Sequence, residues 1–154
     1  MAKPWPVDID PHESFAAAAR RVLEVRTREF VSYIPAAVSG ADIEHLHDLR
    51  VANRRLRAVL EVFGDAFPRR KHRAILRETK DAGEPLGAAR DLDVQIAFLE
   101  TFLASAVPED LPGVAALIDE LRSERDLAYA AFAPPLIAFA ASGFDERARE
   151  LAES

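Results

Sequence analysis

The chain has no cysteine, so disulfides, thiol chemistry and cysteine-ligated zinc are all excluded. Glycine is scarce and β-branched runs are missing, which argues against sheets and leaves no glycine-rich phosphate loop. No apolar run is long enough to span a bilayer: the longest, Ala130 to Ala141, is short and contains Pro134 and Pro135. The opening Met1-Ala2-Lys3-Pro4-Trp5-Pro6 lacks the apolar stretch of a signal peptide. A soluble, cytoplasmic protein without a membrane partner is expected. Exposed aromatics are sparse, with only Trp5 free to stack on a base, which disfavours nucleic-acid binding.

What is present favours helices. The 154 residues suit one domain with a real core, and Ala and the straight-chain aliphatics dominate. The net charge of −6 by itself argues against an anionic partner, but its distribution reverses that inference. From His45 to Lys80 there are ten Lys/Arg against four Asp/Glu, a local balance of +6 that leaves −12 elsewhere. Such asymmetry points to one polyanion-binding face on an acidic body.

Capping and breaking residues divide the chain into helices joined by short loops. Asp10, Pro11 and Glu13 predict a capped start for the first helix, and Pro35 its end. Asp42 caps a second helix running to about Phe63. Gly64, Asp65 and Pro68 separate it from a third, about Arg69 to Gly83, which Pro85 either ends or kinks. A fourth runs from about Ala89 to Ala104 and a fifth from about Gly113 to Phe132, where Pro134-Pro135 breaks it. A short apolar piece, Leu136 to Ala141, and a terminal helix, Phe144 to Ala152, complete the chain. The expected architecture is all-α: an antiparallel bundle of about five to six helices, with residues 1–10 as a tail and 11–154 as a single domain.

The second helix has two faces at about 100° per residue. Leu46, Leu49, Leu56, Leu60 and Phe63 form its core stripe. His47, Arg50, Arg54 and Arg57 fall within about 80° of one another on another side, at spacings that make them neighbours. Arg55 lies elsewhere. The third helix repeats the arrangement, with Arg69, Arg73, Arg77 and Lys80 within about 80° and away from Ile75, Thr79, Ala82 and Leu86. If the two helices pack antiparallel, the rows form a groove, and arginine forks pair bidentately with phosphate oxygens.

The stretch His47-Asp48-Leu49-Arg50-Val51-Ala52-Asn53-Arg54-Arg55-Leu56-Arg57-Ala58 resembles the histidine signature of the CHAD (conserved histidine α-helical) domain family. Leu86-Gly87-Ala88-Ala89-Arg90-Asp91-Leu92-Asp93-Val94 resembles its second signature. The resemblance is strong from about Pro11 to Leu99 and weaker beyond. It implies a helical domain that binds inorganic polyphosphate, often on polyphosphate granules or beside a CYTH triphosphatase domain. The family's basic residues carry over to His47, Arg50, Arg54 and Arg57, and Arg90 joins by its place in the second signature. With Arg73, Arg77 and Lys80 they make the candidate polyphosphate site. A full-length CHAD domain resembles two related halves, whereas this chain has no second His-x-x-Arg stretch. A truncated form, or a short form completed by a homodimer, would account for that.

No catalytic constellation is recognisable. Phosphoryl chemistry needs a metal clamp or an activated nucleophile besides cations. His12, His45, His47 and His72 lack a paired metal-binding spacing, and His45 and His47 point to different faces. Asp91 and Asp93 are expected near the start of the fourth helix, as capping and ion-pairing groups. With Glu84 they share no helical face, so no metal or other cofactor is expected. Non-catalytic polyphosphate binding is the leading reading. A scaffold that docks an acidic partner, such as a triphosphatase, is the alternative, with nucleic-acid binding less favoured.

Overall fold

Side-chain caps set where the first two helices begin. The computed structural model describes residues 3–154, so residues 1 and 2 of the expected tail lie outside the described part. The elements are α1 (Phe15–Ser39), α2 (Ile43–Val62), a 3-10 turn (Gly64–Ala66), α3 (Arg69–Leu103), α4 (Leu111–Ala140) and α5 (Phe144–Ala152). The fold is all-α, with no strand among the described residues. Asp42 caps α2 as expected, its carboxylate accepting from the Glu44 amide at 2.9 Å. The expected cap of α1 is displaced. Asp10 accepts from the His12 amide and Glu13 from the Asp10 amide, so this box closes a separate turn, and Ser14 caps α1 instead.

The prolines are the main correction. Pro35 does not end α1, Pro85 does not divide α3, and Pro134-Pro135 does not break α4. An interior proline costs a backbone bond and about 3 kcal/mol. Each of these prolines is exposed, and buried neighbours hold the helix through it: Ile34 and Ala37, Leu86 and Ala89, Phe132 and Leu136. Burying a large apolar side chain returns roughly 1.5–3 kcal/mol, so Ile34, Leu86, and Phe132 with Leu136, each offset much or all of that cost. The expected third and fourth helices are therefore one, and α4 absorbs the short apolar piece.

The core gathers α1, α2, the first half of α3, the end of α4, and α5. Leu46, Leu49, Leu56 and Leu60 are completely buried, as the core stripe requires. Helix α2 lies between α1 and α3, antiparallel to both. Its start meets Arg90 and its end meets His72, while Phe63 just beyond it makes a tilted ring contact with Phe15 at the start of α1. The close approach of α2 and α3 depends on Gly83, where an added Cβ would sit 2.2 Å from the Asn53 Oδ1. Asn53 is itself fixed by donating to the Thr79 carbonyl at 2.9 Å.

One buried acid was not anticipated from sequence. Glu29 of α1 is completely buried, pairs with Arg26 and Arg55, and accepts from the Trp5 amide at 3.1 Å. Arg26 also donates to the Trp5 carbonyl, so the start of the chain is held across α1 by the same cluster. Beyond Asp93 the packing thins. The far halves of α3 and α4 form a two-helix hairpin in which Ile96 and Ile118 are buried, while Val94, Phe98, Phe102, Leu117 and Leu127 remain exposed. No single helix among the described residues is long and apolar enough to cross a membrane.

Candidate functional site

Because α2 and α3 are antiparallel and in close contact, the exposed row of α2 lies along one face of α3. Arg50, Arg54 and Arg57 line a concavity of about 460 Å³ with Lys80 of α3, over a floor that includes Asn53, Gly83 and Gly87. An adjoining concavity of about 290 Å³ is lined by His47, Arg50, Arg54, Arg90 and Val94. Arg50 and Arg54 belong to both, so they join the two spaces. The structure thus brings together His47, Arg50, Arg54, Arg57, Lys80 and Arg90. Arg73 and Arg77 are not among these linings. They line a neighbouring depression with Arg69, Arg70 and Ala74.

Acidic side chains are interleaved with the cations. Arg50 donates to the Gly87 carbonyl at 3.0 Å and lies 3.4 Å from Asp91. Glu61 bridges Arg57 at 3.1 Å and Lys80 at 3.3 Å. Burial pushes the Glu61 carboxyl up, but Lys80 and Arg57 outweigh it and hold the group below the usual carboxylate range. Arg90 donates to the Ile43 carbonyl and pairs with Glu44, both at 3.4 Å. Asp81 and Glu84 line the larger concavity as well. Arg54 has no ion pair among the described residues, and it projects between the two spaces.

These exposed pairs contribute little stability, since solvent screens them. They hold Arg50, Arg57, Lys80 and Arg90 beside carboxylates along the α2–α3 face. Five permanent cations, Arg50, Arg54, Arg57, Lys80 and Arg90, converge from two helices on these two adjoining concavities.

Asp91 and Asp93 play different parts, and neither lies at a helix start, because α3 is continuous. Asp91 is exposed beside Arg50. Asp93 is buried, and the Tyr129 hydroxyl of α4 donates to it at 3.0 Å. Burial raises the Asp93 carboxyl above its usual range against the opposing Tyr129 hydrogen bond, and burial beside Asp93 likewise raises the Tyr129 hydroxyl. Asp93 therefore ties α3 to α4, although Arg90 lies near enough to oppose the rise of its carboxyl. A separate cleft of about 240 Å³ between α3 and α4 is lined by Pro85, Leu86, Phe132, Pro135 and Phe139, with Glu78 and Asp81 at its edge. It offers an anion no donor.

The sequence reading missed Glu61, Asp81 and Glu84 as members of the cationic face, and Asn53 and Gly83 as its floor. Glu61 had a visible signal four residues after Arg57, the helical spacing of an ion pair. Gly83 had none, because its need for a missing Cβ arises only where α2 crosses it.

A family profile described as the CHAD domain matches residues 21–154, reaching well beyond the two signatures into α4 and α5. No curated protein matches the chain. The profile spans nearly the whole chain and the two signatures lie on the helices that hold the cationic face, so the chain belongs to the CHAD domain family, a family associated with polyphosphate binding.

Proposed function

We propose that the α2–α3 face binds inorganic polyphosphate without turning it over. The observation that carries this reading is the convergence of Arg50, Arg54 and Arg57 with Lys80 on one concavity, with Arg90 and His47 beside it. Arginine dominates the set, and its planar fork suits the closely spaced oxygens of a phosphate chain. The test is a salt-titrated competition between long-chain polyphosphate and DNA of equal charge. Polyphosphate is expected to win, with a steep loss of affinity in salt from counterion release. Arg50→Ala, Arg54→Ala and Arg57→Ala together should weaken binding roughly a hundredfold while the helical signal persists. Release of orthophosphate, with or without added Mg²⁺, would overturn the non-catalytic part of the reading.

A second copy of the chain is the protein partner we favour over an acidic scaffold partner such as a triphosphatase. Val94, Phe98 and Phe102 recur every four residues along α3, and all three are exposed. Val94 also lines the smaller basic concavity, so the apolar stripe is continuous with the cationic face. A two-fold contact there would set two cationic faces near one another. Sedimentation of the native protein should give a dimer that Phe98→Asp disrupts. A monomer at all working concentrations, with polyphosphate binding intact, would reject it. The proposed setting is the cytoplasm, on polyphosphate granules.

A further inference from the structure

The arginines at the start of α3 differ from those opposite α2. Arg69, Arg70, Arg73 and Arg77 line a depression of about 550 Å³ to which no acidic residue contributes. None of the four has an ion pair among the described residues, whereas Arg50, Arg57, Lys80 and Arg90 each have one. Their position is also electrostatically unfavourable. No acid occupies the first turn of α3, and cations crowded at a helix start oppose its dipole and repel each other. Ala74 is the remaining lining residue and is exposed, so the cluster contributes no core packing there. Among the described residues no carboxylate compensates this group of charges.

Geometry links the depression to the site already described. Arg69, Arg73, Arg77 and Lys80 lie within about 80° on α3, so Arg77 is a helical neighbour of Lys80. From Arg73 to Gly87 the helix rises roughly 21 Å at 1.5 Å per residue. An extended anion lying on the α2–α3 concavity and continuing along α3 meets the uncompensated arginines next.

We propose that Arg69, Arg70, Arg73 and Arg77 form a second anion subsite that takes the far segment of the same polyphosphate chain, so that the protein selects long chains over short ones. The inference rests on the α2–α3 face being the first subsite. Once one segment is held there, capture of the next is intramolecular, and linkage of this kind raises affinity by about 10²-fold or more. A chain too short to reach both places gains nothing from the link.

The test uses the full chain with tripolyphosphate and a long linear polyphosphate as probes, by calorimetry at fixed salt. The cluster variant is Arg69→Ala, Arg70→Ala and Arg73→Ala; all three residues are exposed, and retention of the helical signal checks its fold. The wild-type protein should prefer the long chain strongly. The cluster variant should lose roughly tenfold or more of long-chain affinity, keep tripolyphosphate affinity within about twofold, and show a salt slope shallower by about 2. Unchanged long-chain affinity in the cluster variant overturns the second subsite. Equal loss on both probes overturns it too, since that is the signature of a general field. If Arg50→Ala, Arg54→Ala and Arg57→Ala leave both probes bound normally while the cluster variant loses them, the α2–α3 reading has failed and the two-subsite scheme falls with it.

Discussion

Arg54 and Arg55 are adjacent in sequence and live on opposite flanks of α2. Arg55 turns toward α1 and meets the completely buried Glu29, which Arg26 and the Trp5 amide also engage. Arg54 turns toward α3 and projects between two concavities with no ion pair among the described residues. On the Glu29 flank the charges are matched within the protein and shielded from water, so they hold the fold. On the α3 flank most of the cations are exposed, their ion pairs face solvent, and Arg54 has no ion pair among the described residues. The same side chain on one helix thus packs into the fold or stays at the surface according to whether a buried partner meets it.

Breaking the buried side should have the largest effect. Glu29→Ala removes the buried acid that Arg26 and Arg55 share, and about 3–5 kcal/mol of stability should disappear in urea denaturation. Loss under 1 kcal/mol would mean that the Glu29 cluster is not a structural anchor. The matching change on the open flank, Arg50→Ala with Arg54→Ala and Arg57→Ala, should leave the denaturation midpoint nearly unmoved. It should cost roughly a hundredfold in polyphosphate affinity and flatten the salt dependence by about 2.

The floor between the helices responds differently from either flank. Gly83→Ala forces Asn53 away from its hydrogen bond with Thr79, and such overpacking costs about 1–3 kcal/mol. Affinity should fall as well, because α2 and α3 must move apart; a shift in stability with binding untouched would detach the floor from the site. Removing the internal competitor should act in the opposite sense. Glu61→Gln frees Arg57 and Lys80, and polyphosphate should bind about two- to threefold more tightly, the scale of one exposed ion pair.

The smallest expected effect is a slope with pH. The raised Asp93 carboxyl means that the folded state binds its proton more readily than the unfolded chain does. Stability therefore declines as pH rises from the ordinary aspartate range through the raised one, and is level above it. Asp93→Asn should abolish that segment of the pH–stability curve. An identical slope in the variant would show that another group sets it.

Much of this fold was legible from local patterns. Leu46, Leu49, Leu56 and Leu60 recur at helical spacing and are buried, and Asp42 and Phe144 stand where α2 and α5 begin. The prolines misled because the rule for a lone helix ignores tertiary anchors. Leu86 and Ala89 hold α3 through Pro85, and this continuity removes Asp91 and Asp93 from the helix start that a broken chain would have supplied. Glu29 was illegible because a glutamate in an amphipathic helix reads as solvated until its two arginines and the Trp5 amide surround it.

By itself the sequence determined the helical class, the CHAD signatures and the row of His47, Arg50, Arg54 and Arg57, because residues three and four apart on a helix share a side whatever surrounds them. Only the tertiary structure decided what each cation does. Lys80 joins Arg57 through Glu61, Asp91 reaches Arg50 from 41 positions away, and Arg69, Arg70, Arg73 and Arg77 are left without a carboxylate. Those outcomes depend on the register between helices, which core packing sets and helical periodicity cannot.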